Sequence, residues 1–382
     1  MSNRRNQILA GILVLQIVLA VVLFWPRSTV SEAANAPLFG DVKAADVTGI
    51  TIADRDGNAV QLARSGDAWV LPQRDDYPAL SERVNELLGK IEKIRTNRLI
   101  TQTEGSHKTL QVAGNDFVRK VELRVGDAVT HTLYIGVSGG GSAVHVRADD
   151  RPEVYLTGEV LSWDVNAQDS NWVETIFFTV PQTATVGITL QNPNGVFTFE
   201  RPDGESDWAM EGVGAGETLV QNNVLSVVNQ VTSLRLQAPL GKTEKPEYAM
   251  AAPQATITVR TKDGDQEKTY TLTIGARLED DRLRPGSTDK VYYYVARSSE
   301  SPFYVRLSDF VGDALVNKKR EDFLPPPTTP VPGAEVIVTE EPPPPTATPE
   351  PTATPEPEAA ATEDAATAAP EVTPPDATAT PQ

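Results

Sequence analysis

The sequence predicts an α+β fold: two tandem copies of a strand-rich unit with one long helix packed on an antiparallel sheet, after an N-terminal transmembrane helix and before a disordered C-terminal tail. Three observations predict it. An almost uninterrupted apolar run opens the chain, a set of motifs recurs in the same order at an offset of about 138–150 residues, and composition changes abruptly after Leu324. They divide the chain into residues 1–27 (signal anchor), 37–175 (first repeat), 176–324 (second repeat) and 325–382 (tail).

The apolar run is Ile8–Trp25, preceded by Arg4 and Arg5 and broken only by Gln16 and the small Gly11. At 1.5 Å per residue such a helix spans about 27 Å, close to the hydrocarbon thickness of a bilayer. Basic residues at its start hold the N-terminus in the cytoplasm and put the bulk of the chain outside the cell membrane, a single-pass topology. The rival is a cleaved signal peptide at Ala34-Asn35-Ala36. That site lies ten residues beyond the run and is followed by Pro37, so an uncleaved anchor is favoured.

The repeat pairs "DVTGITIADRDGNAVQLAR" (46–64) with "TVGITLQNPNGVFTFER" (185–201), and "SGDAWVL" with "ESDWAM", which sets Trp69 against Trp208. "LYIG" (133–136) matches "LTIG" (272–275), "VHVR" (144–147) matches "YVAR" (294–297), and "EVYLTGEVLSWDV" matches "PFYVRLSDFVGDAL". In the first copy the alternation predicts strands at 47–53 and 60–64 joined by the turn "DRDGN", and a third at 68–71. Pro78 and Ser81 open a helix whose stripe is Leu80, Val84, Leu87, Leu88, Ile91 and Ile94. Strands follow at 118–125, 129–137, 143–147 and 154–156, with a short helix near Gly158–Trp163. The second copy repeats this, with Val224, Val228, Val231 and Leu234 as its stripe. Each unit is expected to hold its own core, with Trp69 and Trp208 as plugs.

The tail carries ten carboxylates and no Lys or Arg, so of the net charge of −18 about −8 remains for the rest. Too little of it is apolar to offset the entropy of ordering, and disorder follows. An acidic chain has little to offer nucleic acid, whose affinity comes from Lys and Arg on phosphates. Zero cysteines exclude disulfides, thiolate metal sites and Cys nucleophiles.

Several constellations resemble chemistry without completing it. Gly139–Gly141 lack the G-K-[ST] of a phosphate loop and precede a strand pattern, so they read as a hairpin connection. "DRDGN" starts like a calcium loop, but its twelfth position is Ser65. His107, His131 and His145 have no metal-ligand spacing and no counterpart in the second copy. Asp75-Asp76, Asp149-Asp150 and Asp280-Asp281 read as solvated loop charges. Tyr292 and Tyr294 share a strand face opposite Tyr293, either as an exposed binding platform or, the favoured reading, as half-buried strand residues. No residue is therefore assigned as catalytic, metal-binding or cofactor-binding, and no cofactor is expected.

With Trp69, Val70, Leu71, Tyr77, Pro78, Ala79, the amphipathic helix and "LYIG…VHVR" in view, the chain resembles the bacterial membrane-anchored proteins grouped as domain of unknown function 4340. The resemblance covers about residues 1–320 and is strongest over 46–165. It implies one N-terminal membrane segment, no assigned catalytic residue and a setting beside ABC-type exporters and gliding-type envelope systems. The expected function is a non-enzymatic extracytoplasmic accessory or scaffold protein whose partners are the membrane and ABC-type transporter subunits. The alternative is a module binding envelope polysaccharide or peptide.

Overall fold

Alternating apolar residues put Ile50, Ile52, Val60 and Leu62 on one side of a sheet, and all four are buried. A computed structural model describes residues 35–40, 42–283 and 288–325, with Leu13 and Gln16 alone before them. Apart from those two residues the expected anchor at Ile8–Trp25 lies outside this set, as does the tail from residue 326. Among the described residues no helix is long and apolar enough to cross a membrane.

The first sheet is built from β1 (Gly49–Asp54), β2 (Ala59–Ser65), β3 (Ala68–Leu71), β4 (Tyr77–Pro78) and β5 (Leu99–Thr101). After a two-stranded ribbon of β6 (Val112–Ala113) and β7 (Asp116–Phe117), it adds β8 (Arg119–Val125), β9 (Ala128–Ser138), β10 (Val144–Ala148) and β11 (Val154–Thr157). Its order is β4-β3-β2-β1-β8-β9-β10-β11-β5, with antiparallel neighbours throughout.

The second half begins with β12 (Ile176–Thr179), β13 (Thr185–Asn192), β14 (Gly195–Glu200) and β15 (Ala209–Met210), then β16 (Ser233–Arg235) and β17 (Ala238–Gly241). It ends with β18 (Ala255–Asp263), β19 (Gln266–Leu283), β20 (Lys290–Ser298) and β21 (Tyr304–Ser308). β12 and β16 pair separately, and the main sheet runs β15-β14-β13-β18-β19-β20-β21-β17, again antiparallel. Read from β3 and from β15, the two orders correspond strand for strand, ending at β5 and β17.

Among the described residues five helices accompany the strands: α1 (Ser81–Glu92), α2 (Ser106–Thr109), α3 (Gln221–Thr232), α4 (Asp309–Val316) and α5 (Arg320–Phe323). α1 buries Val84, Leu87, Leu88 and Ile91, and α3 buries Val224, Val227, Val228 and Val231, the i, i+3, i+4, i+7 spacing of one face. Leu80 is not part of that face. It is the exposed N-cap residue of α1: its carbonyl accepts the first helical bond from Val84 N, and its N–H, which has no acceptor within the helix, donates to the carbonyl of Trp172 at 2.7 Å. Ile94 is buried but lies past the helix end.

The short helix expected near Gly158–Trp163 does not form. Asp164 Oδ2 accepts from Leu161 N at 2.8 Å and folds this stretch into turns, leaving Trp163 exposed. In the second lobe the corresponding stretch is α4, because Ser308 Oγ accepts from Val311 N as an N-cap and Gly312 lets the helix approach Tyr294. Nor are there two separate cores. Buried residues from Leu38 to Leu324 form one apolar cluster through both lobes. Tyr77 of the first lobe packs on Phe303 of the second, ring centroids 4.6 Å apart.

Candidate functional site

Two features position the surface of this protein: a covering segment on each sheet and the seam between the lobes. On the first sheet, Leu110 and Gln111, just after α2, and residues of β6 and β7 lie over β9 and β10, and Arg147 Nε donates to the carbonyl of Val112 at 2.7 Å. On the second, the 3-10 turn Pro246–Tyr248 does the same, with Tyr248 buried against Tyr293, Val295 and Tyr304. The matched glycines of "LYIG" and "LTIG" make both crossings possible. A Cβ on Gly136 would lie 2.0 Å from the carbonyl oxygen of Leu110, and one on Gly275 would lie 2.1 Å from that of Tyr248.

At the seam, β17 meets the 3-10 turns Pro72–Arg74 and Asp169–Asn171 of the first lobe. Asp75, in the left-handed region at φ 53°, accepts from Lys242 N at 2.6 Å and from Thr243 N at 3.2 Å. Those two N–H groups hold its carboxyl below the ordinary carboxylate range. Arg74 pairs with Asp169 at 2.7 Å and Arg306 with Asp280 at 2.8 Å. Both pairs line an open cleft of about 280 Å³, with Asn58, Gln168 and Gln237 beside them. Three carboxylates read from sequence as solvated thus have specific work. Asp280 is buried on β19, Asp75 joins the lobes, and Asp149 accepts from Thr132 N at 2.8 Å and faces His131 Nδ1 at 3.1 Å.

The remaining candidates are used locally. Gly139 N donates to Ala143 O at 2.9 Å and closes the β9–β10 hairpin, with Gly140 and Gly141 at φ 92° and 60°. Asp54 accepts from the N–H of Asp56 and of Asn58 and from Asn58 Nδ2, so its carboxylate belongs to the "DRDGN" turn. His107 Nε2 meets the carbonyl of Pro152 at 2.9 Å, and His145 Nδ1 that of Val137 at 2.8 Å. Tyr294 is buried and donates to Asp313 at 2.7 Å; burial and that bond push its phenol well above the ordinary value. Tyr292 lies under Arg277, whose guanidinium is 4.0 Å from the ring centre. Tyr292 and Tyr294 therefore form no open platform.

Residues 69–253 match the family model described as "Domain of unknown function (DUF4340)". That stretch carries a domain of unknown function 4340. The match starts at Trp69 in β3 and reaches Pro253, so the family segment includes both long helices, the seam residue Asp75 and β17. It extends further into the second lobe than the stretch 46–165 in which the resemblance is strongest by eye. No curated protein and no solved structure matches the chain.

The edge strands β5 and β17 are the last comparison needed. Tyr155 faces Leu99 and Val154 faces Thr101, as Val305 faces Pro239 and Tyr304 faces Gly241. The register makes Gln102-Thr103-Glu104 the counterpart of Lys242-Thr243-Glu244, a match the sequence contained and motif reading missed. In the second lobe this segment receives Asp75. In the first, β5 ends its sheet, no described strand pairs with its outer edge, and Leu99 and Ile100 are about half exposed.

Proposed function

We propose that this is a non-enzymatic, membrane-anchored accessory protein on the outer face of the cell membrane that works by docking to a membrane partner, with an ABC-type exporter as the partner class. The observation that carries the reading is the contrast between the two equivalent edges. The β17 edge is covered by a loop that supplies a carboxylate, Asp75, and an aromatic, Tyr77. The β5 edge presents the same Thr-Glu segment and two exposed apolar side chains to a partner loop of that same chemistry. A bilayer anchor raises the effective concentration of such an edge for any membrane neighbour, so weak contacts suffice. The committed hydrogen bonds of His107, His131, His145 and the acid pairs support docking over chemistry.

The test is recovery of the protein with its partners from gently solubilised membranes, partners identified by mass. The wild-type chain is expected to retain an ABC-type permease, and Leu99→Lys with Ile100→Lys to lose it. Joint substitution of His107, His131 and His145 should leave recovery and cellular phenotype intact, while export without residues 1–26 abolishes the phenotype. A single His or Asp substitution that silences the protein, with the released lobes still working, would falsify the docking reading. The polar cleft at the seam favours the second reading, a module for envelope polysaccharide or peptide, in which Arg74 and Arg306 would face the ligand.

A further inference from the structure

Two arginines of the first lobe lack the partners that their counterparts in the second lobe have. Strand register sets the equivalence. Gly49 faces Ala63 on one side and Arg124 on the other, and Gly187 faces Glu200 and Arg260. Each arginine lies across its glycine. A Cβ on Gly49 would be 3.5 Å from Arg124 Cδ, and one on Gly187 would be 2.9 Å from Arg260 Nε. In the second lobe Arg260 Nη2 donates to Glu200 Oε1 at 2.7 Å. In the first lobe the place of Glu200 is taken by the methyl group of Ala63.

The neighbouring position repeats the contrast. Arg201 donates to the carbonyl oxygens of Thr185, at 2.8 Å, and Gln182. Its counterpart Arg64 lies over the Trp69 ring at 5.0 Å, as Arg201 lies over Trp208 at 4.5 Å, but its Nε is buried and unpaired. The Nε of Arg124 is buried and unpaired too. Among the described residues no carboxylate stands within ion-pair distance of either guanidinium. Both arginines line one open cleft of about 370 Å³, together with Thr48, Thr51, Gln61 and one acid, Asp127, which makes no ion pair with either of them.

We propose that this cleft is a binding site for a carboxylate, namely the acidic side chain of a peptide segment, held by Arg124 and Arg64 as Glu200 is held by Arg260. A guanidinium offers a planar fork of donors that matches a carboxylate with two parallel hydrogen bonds. The second lobe contains that ligand within its own chain, and the first lobe has the receptor without it. The Thr51 hydroxyl and the Gln61 amide add hydrogen-bonding groups around the acid, whereas the Thr48 hydroxyl is spent on the carbonyl of Gly126 at 3.0 Å.

The experiment titrates acetyl-triglutamate amide into the full chain in mild detergent and follows the arginine Nε–Hε resonances by NMR, with inorganic phosphate as a second probe. The peptide is expected to shift the signals of Arg124 and Arg64 saturably, and Arg124→Gln to abolish this. Ala63→Glu should weaken peptide binding by about tenfold or more, the scale of one charged hydrogen bond, because the new side chain occupies the site as Glu200 does. Glu200→Ala should open a second site at Arg260. An unchanged thermal midpoint in Ala63→Glu excludes misfolding as the cause. The proposal is overturned if the peptide moves neither arginine, if Ala63→Glu binds it like the wild type, or if only phosphate binds.

Discussion

In the first lobe the indole N–H of Trp69 donates to Asn85 at 3.0 Å, whereas in the second the indole N–H of Trp208 is buried without a partner. At the matching helix position Leu225 stands where Asn85 would be. The arginines show the reverse: Arg260 and Arg201 are bonded, and their counterparts Arg124 and Arg64 have a buried Nε unpaired. The shared topology survives both exchanges because burial of the same apolar positions carries most of the stability, and polar groups at the margins are completed separately. What varies between the lobes is where each one meets something else.

The heaviest test of that comparison removes the two plugs. Trp69→Ala and Trp208→Ala should each cost about 3–5 kcal/mol in urea unfolding, with Trp69 the worse because Asn85 also loses its donor. Equal losses would mean the indole bond contributes nothing. Next come the crossing glycines. Gly136→Ala and Gly275→Ala bring a methyl against backbone carbonyls, which cannot rotate away, and each should cost about 1–3 kcal/mol. A neutral result at either position would show that its covering segment is not held against the sheet.

A smaller effect comes from exchanging the indole's partner. Leu225→Asn should supply Trp208 with an acceptor and stabilise by about 1 kcal/mol, and Asn85→Leu should destabilise by a comparable amount. Opposite signs in thermal unfolding would sharpen the comparison, and equal signs would break it. The smallest concerns the seam. The Asp75 carboxyl is held below its ordinary pKa in the folded state, so its contribution is present above the unfolded carboxylate value. It is lost as pH falls through the lowered folded one. The urea midpoint of the wild type should exceed that of Asp75→Asn at neutral pH, and the gap should close in acid. A gap independent of pH would mean that the charge of Asp75 is not what Lys242 and Thr243 bind.

The periods of two and 3.6 made the long strands and most of both helix faces legible in advance, because side-chain direction is a local consequence of backbone geometry. The plugs were legible for the same reason: Trp69 and Trp208 occupy matched places in matched patterns. The short strands β4 to β7 were not legible, and Ile94 and Leu234, read into the stripes, lie past the helix ends. Misreadings occurred where a local signal competed with another group. Leu80 fits the helical stripe but stands at the N-cap with its side chain exposed, and the stretch after β11 makes one turn, in which Leu161 N donates to Asp164, without going on into a helix. Asp75 and Asp280 sit among turn-formers and charges and look solvated, yet their partners are 167 and 26 residues away in the chain.

The sequence by itself determined the strand-rich α+β class, the two matched series of elements, the buried faces and the turns. These follow from short-range patterns of polarity and from the few residues that tolerate a positive φ. Only the tertiary structure decided that one apolar core runs through both lobes and that Gly136 and Gly275 exist to admit a crossing backbone. It also decided that β17 is covered while β5 ends its sheet open, and that Arg124 faces a methyl where Arg260 faces a carboxylate. Such relations depend on which distant segments meet, and no local period encodes that. The physical reason is that a polar group's state is set by its partner, and the partner comes from elsewhere in the fold.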